Sequence, residues 1–220
     1  MNIQLHYTEK GTGTSLILLH GNGEDSSYFV HQIEHFSAKY RVIAIDTRGH
    51  GASPRGDAPF SIAQFAEDLK SFMDLKAIEK AHILGFSDGG NIALTFALKY
   101  PEYVSKLILN GANLNPKGVK ASVQLPVVLG YHIAKLLGGK EKAELLGLMV
   151  NEPNFTPEDL KRLKIPTLVI AGKRDMIKDS HTRLIARSIA GAELAIIEGD
   201  HFIANKNADK FNKAVEDFLC

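Results

Sequence analysis

Tryptophan is absent from this chain of 220 residues, and cysteine occurs once, as the last residue, Cys220. A lone thiol at a chain end forms no internal disulfide, so a disulfide scaffold is excluded and a reducing, cytoplasmic setting is expected. No apolar run approaches the ~20 residues that a bilayer-spanning helix needs. The opening Met1-Asn2-Ile3-Gln4-Leu5-His6 lacks the charged and apolar regions of a secretory leader. Charge of one sign is also missing. The formal net charge is +1 and no basic run stands out, so neither a nucleic acid nor a membrane is expected as a partner. There is no H-E-x-x-H, no cysteine ligand set and no cluster at metal-ligand spacing, so no metal is expected. No G-x-G-x-x-G or P-loop spacing occurs either, and no cofactor is expected.

What remains is an ordinary globular composition, 45% hydrophobic and 23% charged, enough for one sizeable core. Apolar runs at Ser15–Leu19, Val42–Asp46, His82–Leu84, Val104–Leu109, Thr167–Ile170 and Leu194–Ile197 read as buried strands. Ile3 to Thr8 alternates as a half-buried edge strand. Between them lie helical patterns: Ser26 to Tyr40, Ser61 to about Lys76, the segment after Ser87 as far as Pro101, Ser180 to Ala190, and Ala208 to Leu219. Strands alternating with helices predict an α/β fold with a mostly parallel central sheet covered on both faces. The chain reads as one domain, 1–220, with residues 111–163 as a short helical cap inserted between the fifth and sixth strand-like runs, the edge strand counted as the first. Within it, Val119 to Val150 is apolar and helical, interrupted by Pro126 and by Gly138-Gly139, and Thr156-Pro157 starts another helix.

The most informative stretch is Ile83-Leu84-Gly85-Phe86-Ser87-Asp88-Gly89-Gly90. An apolar strand ends in glycine, a serine follows, and an apolar-periodic segment begins at once. A strand that turns so sharply into a helix has no room for Cβ atoms at Gly85 and Gly89. It leaves Ser87 strained and exposed beside the first helical N–H groups, the mechanics of a nucleophile elbow. A serine that merely caps a helix would look similar from these five residues. In open α/β sheets ligands bind at the carboxyl ends of the strands, and there the polar and Gly-rich clusters fall: His20-Gly21-Asn22-Gly23, Asp46 to Ser53, Ser87, Asn110 to Asn113, Gly172 to Asp175, and Gly199-Asp200-His201.

With those clusters, in that order, the chain resembles the α/β-hydrolase superfamily, in its lid-bearing esterase, lactonase and carbon–carbon-bond hydrolase branch. The resemblance covers almost all of the chain outside the insertion. It implies Ser87 as nucleophile, His201 as its base and Asp175 as the acid that orients the base. Asp179 and Asp200 are rivals for the acid: the first is placed to cap the next helix, and the second adjoins the base in a geometry that seldom reaches Nδ1. Of the nine histidines, His6, His31, His35, His132 and His181 lack a motif. His82 precedes a strand, and His20 and His50 read as loop-shaping. The oxyanion donors implied are the backbone N–H groups of Asp88 and Asn22, with Gly23 as the alternative to Asn22. Asp46 and Arg48 read as parts of a buried or partly buried ionic network.

The implied reaction is hydrolysis of a small carboxylic ester or lactone through an acyl-enzyme. Gly23, Asp88, Phe86 and Leu129 are the candidate substrate contacts, below a roof of cap residues such as Leu125 and Tyr131. The Asp88 carboxylate reads either as solvated at a helix N-terminus or as a partner for a cationic substrate group such as an amine. Serine at the elbow, where dehalogenase and epoxide-hydrolase relatives carry a carboxylate, argues against those chemistries. The short insertion weakens carbon–carbon cleavage. Two other readings stay open: acyl transfer or thioester cleavage with the same triad, with Lys117, Lys120, Lys135, Lys140 and Lys142 as phosphate-binding candidates, and a non-enzymatic small-molecule receptor. The oligomeric state stays undetermined.

Overall fold

The computed structural model describes residues 3–220; Met1 and Asn2, which belong to the N-terminal stretch considered above, lie outside them. Seven strands form one sheet in the order β1-β3-β2-β4-β5-β6-β7. They are β1 (Tyr7–Lys10), β2 (Ser15–Leu19), β3 (Arg41–Ile45), β4 (Ala81–Phe86), β5 (Val104–Asn110), β6 (Thr167–Gly172) and β7 (Glu193–Ile197). Only β1 runs antiparallel, against β3; every other pairing is parallel. The mostly parallel α/β architecture expected from the alternating patterns is therefore present. Strand pairing in β1 begins at Tyr7, later than Ile3, although Ile3 and Leu5 are buried against the same core.

Helices cover both faces, as uninterrupted apolar strands require. One core layer unites β-strand residues with Phe65, Leu69 and Met73 of α2 (Ile62–Leu75) and Ile92 and Phe96 of α3 (Asp88–Lys99). The other is built on Phe36 of α1 (Val30–Phe36), Ile203 of the single turn α8 (Ile203–Lys206), and Phe211 and Val215 of α9 (Ala208–Leu219). The expected helix from Ser26 is split: Ser26–Phe29 is a 3-10 turn capped by Asp25, and the α-helix proper starts at Val30. Ser61 caps α2 as its position predicts, its side chain accepting from Gln64 N–H.

Between β5 and β6 stand α4 (Ala121–Leu136), α5 (Lys140–Asn151) and the single turn α6 (Pro157–Leu160). Pro126 lies inside α4 rather than interrupting it. It falls in the sixth position, where the carbonyl it deprives belongs to exposed Ser122 and is left to solvent. Gly138-Gly139 does break the helix, and α4 and α5 fold into a hairpin around it. Thr156 closes α6 with a reciprocal capping box to Asp159. The two ends of the 111–163 stretch belong to the body: Ala112, Leu114, Leu160 and Leu163 are in its core. Residues 121–151 alone form the helical hairpin. Among the described residues no helix is long and apolar enough to cross a membrane.

Candidate active site

Ser87 sits on the corner between β4 and α3 with φ 53 and ψ −119. Apart from Ala77 it is the only non-glycine residue with positive φ among those described. Such a conformation costs of order 1–3 kcal/mol and persists where surrounding structure over-determines it. Here Ser87 N–H donates to Asn110 O at 2.8 Å, and Asn91 N–H donates to Ser87 O at 3.1 Å. Its side chain makes no capping hydrogen bond, which removes the simple N-cap reading. The two glycines are required, each against a different neighbour. A Cβ on Gly85 would lie 2.2 Å from Gly89 O, whereas one on Gly89 would lie 2.0 Å from Leu19 O. The elbow is thus pressed onto the end of β2, the neighbouring strand.

β2 and β4 flank the point where chain progression across the sheet reverses, the usual crevice of such folds. The loop after β2, His20 to Gly23, therefore stands beside the corner after β4. No acceptor among the described residues takes the backbone N–H of Asn22 or of Asp88. Gly23 adopts φ +74 and is exposed; a Cβ there would meet nothing within 4 Å.

His201 comes from the far edge of the sheet, beyond β7, and must cross the ends of β6 and β5 to approach Ser87. Two glycines clear that path. A Cβ on Gly172, at the end of β6, would lie 2.0 Å from Asp200 O. A Cβ on Gly111, just past β5, would lie 2.6 Å from the His201 ring. Asp175, delivered by β6, meets the ring: His201 Nδ1 and Asp175 Oδ1 are 2.6 Å apart, both side chains buried. Asp175 is itself oriented by the N–H of Ile177 at 2.9 Å. With Nδ1–H donating to the carboxylate, Nε2 carries the lone pair, and it is buried with no hydrogen-bond partner. The rival acids are engaged elsewhere: Asp179 accepts from Arg183, and Asp200 accepts from Phe202 N–H and Lys206. Asp179 does not cap α7 (Asp179–Ser188); the cap position is Lys178, without a side-chain bond.

A family model described as the alpha/beta hydrolase fold matches residues 14–131, more than half of the chain. The chain belongs to the α/β-hydrolase family. The human protein named serine hydrolase BPHL is 31% identical to this hydrolase, over 99% of this chain and 83% of its own length. A 2-hydroxy-6-oxononadienedioate/2-hydroxy-6-oxononatrienedioate hydrolase of Paraburkholderia phymatum is 29% identical over 99% of this chain and 91% of its own. Among solved structures, the enol-lactonase from Burkholderia xenovorans LB400 superposes with a TM-score of 0.85 at 22% identity, covering 99% of this chain and 96% of that one. That last likeness concerns the fold alone.

The remaining sequence candidates separate in this hydrolase. Phe86 is 1% exposed. It stacks on Tyr28 with ring centroids 4.4 Å apart and lies 4.8 Å from the His201 ring, so it supports the histidine from the core and does not offer a substrate contact. Leu129 points outward on α4, 62% exposed. Asp88 is not solvated: its carboxyl is buried and accepts from Asn22 Nδ2 at 2.9 Å and Asn91 Nδ2 at 3.1 Å. Burial raises its pKa above the usual carboxylate range, against the pull of those two amides. The same Asn22 amide donates to Leu145 O at 2.8 Å, which lays α5 over the loop after β2.

Two carboxylates not singled out from the sequence have their pKa values raised near the site. Glu24 accepts from Gly21 N–H, is raised mainly by burial and lies in the field of His201. Glu152 accepts from Ile62 N–H and is raised by burial and by the like charge of Asp88. Neither lies in a motif, and only folding brings Glu152 near Asp88. A cavity of about 450 Å³ lies between the α4–α5 hairpin and Phe60, lined also by Tyr131, Ala134, Glu144 and Glu152 but by none of the triad side chains. No group of three or more His, Cys, Asp or Glu side chains is arranged to hold a metal ion among the described residues.

His20 shapes the loop, as its glycine neighbours suggest. Its Nδ1–H donates to Gly21 O at 2.7 Å and its Nε2 accepts from Thr47 N–H at 3.0 Å. A proton on Nε2 would break the second bond, and burial holds the pKa down at about 4. The unfolded chain therefore binds this proton below pH ~6.5 while the folded one does not, so stability is full above that pH and falls as pH drops toward 4. The expected loss from this residue is roughly 3 kcal/mol. Asp88, Glu24 and Glu152, held above their usual range, work in the opposite direction. The readout is accordingly the difference between wild type and His20→Gln in urea melts from pH 7 to 4. The variant should show a flatter decline, and parallel curves would refute the assignment.

Proposed function

We propose that this α/β-hydrolase cleaves a small carboxylic ester or lactone through an acyl-enzyme on Ser87. The observation that carries the reading is the Asp175–His201 pair, whose unpartnered Nε2 belongs to the base that the strained serine needs. Ser87 Oγ attacks the carbonyl carbon as its proton passes to Nε2. The oxyanion is met by the N–H groups of Asp88 and Asn22, with Gly23 the alternative second donor. Each such donor is worth about 3–4 kcal/mol in aimed, water-poor surroundings. His201 returns the proton to the departing alkoxide, then takes one from water. The hydroxide equivalent adds to the acyl carbon, and collapse breaks the Ser87 Oγ–carbon bond as His201 returns that proton to Oγ, releasing the acid and restoring the serine. Asp175 keeps the ring in the required tautomer and stabilises the imidazolium.

The test is labelling with a fluorophosphonate followed by peptide mapping. An adduct on Ser87 in wild type, absent from Ser87→Ala, is expected; an adduct elsewhere, or none on folded protein, rejects the assignment. Turnover of a short-chain p-nitrophenyl ester separates this reading from a receptor, and product analysis with added alcohol or thiol separates hydrolysis from acyl transfer.

The buried Asp88 carboxyl, with Glu152 close enough to feel its charge, supports a second level of detail: a preference for substrates bearing a cation, such as the amine of an amino-acid ester. An amino-acid ester should be cleaved faster than its des-amino analogue, and Asp88→Asn should shrink that ratio by about 10-fold, the weight of one charge-assisted hydrogen bond. Equal rates for the two esters in wild type would exclude the preference.

A further inference from the structure

The outer face of α4 has no partner among the described residues. Leu125, Leu129, Ile133, Leu136 and Leu137 are 68%, 62%, 47%, 83% and 78% exposed, and they make up five of the nine exposed large hydrophobics among the described residues. The first four recur on successive turns and form one stripe about 18 Å long at 1.5 Å per residue. The opposite face of the helix is occupied by α5, where Gln124 Nε2 donates to Met149 O at 3.1 Å and Gly130 and Gly147 admit Leu146 and Tyr131. The stripe is therefore not a core face left open by chance of register. Three lysines flank it along the chain, Lys117 and Lys120 before the helix and Lys142 beyond its far end, with Glu141 the only acid from Pro116 to Ala143; Lys135 and Lys140 line the cavity on the α5 side, Lys135 over the Tyr131 ring. None of the five forms an ion pair among the described residues; the next acid, Glu144, is held by Arg55.

We propose that this stripe docks the cap onto a lipid surface carrying anionic headgroups, α4 lying in the plane of the interface with its leucines among the acyl chains. Apolar residues in a row between lysines are the pattern of an interfacial helix, since the long lysine stems reach headgroups while the row is submerged. Charge selects this occupant over a second copy of the chain. In a two-fold pairing of stripes the same patch meets itself. With the helices antiparallel, Lys117 and Lys120 would face Lys142 of the mate. With them parallel, each basic end would face its own image. An anionic leaflet neutralises both ends at once. The overall charge of +1 conceals this local excess because the compensating acids lie on other surfaces.

The test is co-sedimentation with phosphatidylcholine vesicles with and without phosphatidylserine. Binding should be at least ~10-fold stronger with the anionic lipid and fall steeply with added salt. Leu125→Glu/Leu136→Glu and, separately, Lys120→Glu/Lys142→Glu should each abolish it, while the melting temperature stays unchanged. Leu136→Ser replaces the first pair if that protein does not fold. Because the chain has no tryptophan, Ile133→Trp supplies an independent reporter whose emission should shift to the blue only with anionic vesicles. Three results overturn the proposal: no dependence on anionic lipid, binding unaffected by both double variants, or a solution dimer that Leu125→Glu/Leu136→Glu dissociates.

Discussion

Ser87→Ala is expected to lower kcat for a p-nitrophenyl ester by about 10⁴–10⁶-fold with almost no change in the urea or thermal midpoint. The two halves of that result have separate causes. Catalysis collapses because no other group stands at the corner to form the acyl bond, while the oxyanion donors and the binding surface survive to give a residual rate. Stability is spared because the Ser87 side chain caps nothing; the bonds that hold the corner are made by its backbone, to Asn110 O and from Asn91 N–H. Alanine inherits the same positive φ. Asp175→Asn should cost ~10⁴-fold by favouring the wrong tautomer of His201. Single-turnover kinetics together with circular dichroism check both halves. Retention of wild-type turnover in Ser87→Ala, with the contaminating-enzyme control negative, would remove the triad from the mechanism.

The largest stability effect is expected at Arg48. Its guanidinium is 1% exposed and grips the Asp68 carboxylate with two bonds, Nε to Oδ2 at 2.7 Å and Nη2 to Oδ1 at 2.6 Å, while Nη1 donates to Arg55 O at 3.0 Å. Arg48→Met leaves a buried carboxylate with only the Gln64 amide for company. Removing one partner of such a pair costs about 3–5 kcal/mol, which for a chain of this size lowers the melting temperature by roughly 6–20 °C. Replacing both partners, Arg48→Met with Asp68→Leu, should recover most of the loss, because two apolar groups do not leave a stranded charge. Urea melts of the two single variants and the double variant form the cycle. Additive losses would mean that the two groups are not coupled.

The ionic character of Arg48 is legible in the sequence; its partner is not, because Asp68 lies on α2 in the middle of an ordinary amphipathic pattern. The same division runs through the site. Gly85-Phe86-Ser87-Asp88-Gly89 announces a corner by composition alone, since only glycines allow so close a turn. Yet the atoms Gly89 must avoid are those of Leu19, about seventy residues earlier in the chain, and no local reading identifies them. Gly111 and Gly172 look like ordinary loop glycines in the sequence; they are the gaps through which the last loop crosses the sheet. Phe86, suggested as a substrate contact by its place in the motif, is 1% exposed and packed between Tyr28 and the His201 ring, neighbours that come from distant parts of the chain. A solvated Asp88 is the natural expectation at a helix N-terminus; the hairpin closing through Asn22 and Leu145 O buries it.

By itself the sequence determined the alternation of buried strands and amphipathic helices, the glycine-bounded corner at Ser87, and the order in which polar clusters follow strand ends, all of which are local consequences of side-chain size, periodicity and backbone freedom. The tertiary structure alone decided which segments became neighbours. It brought the loop after β7 back across β6 and β5 to pair His201 with Asp175, set Glu152 near Asp88 from a distant segment, and left one face of α4 without a partner among the described residues. Those outcomes depend on strand order and on which helix faces find cover, and such long-range relations have no period or spacing through which a linear chain could display them.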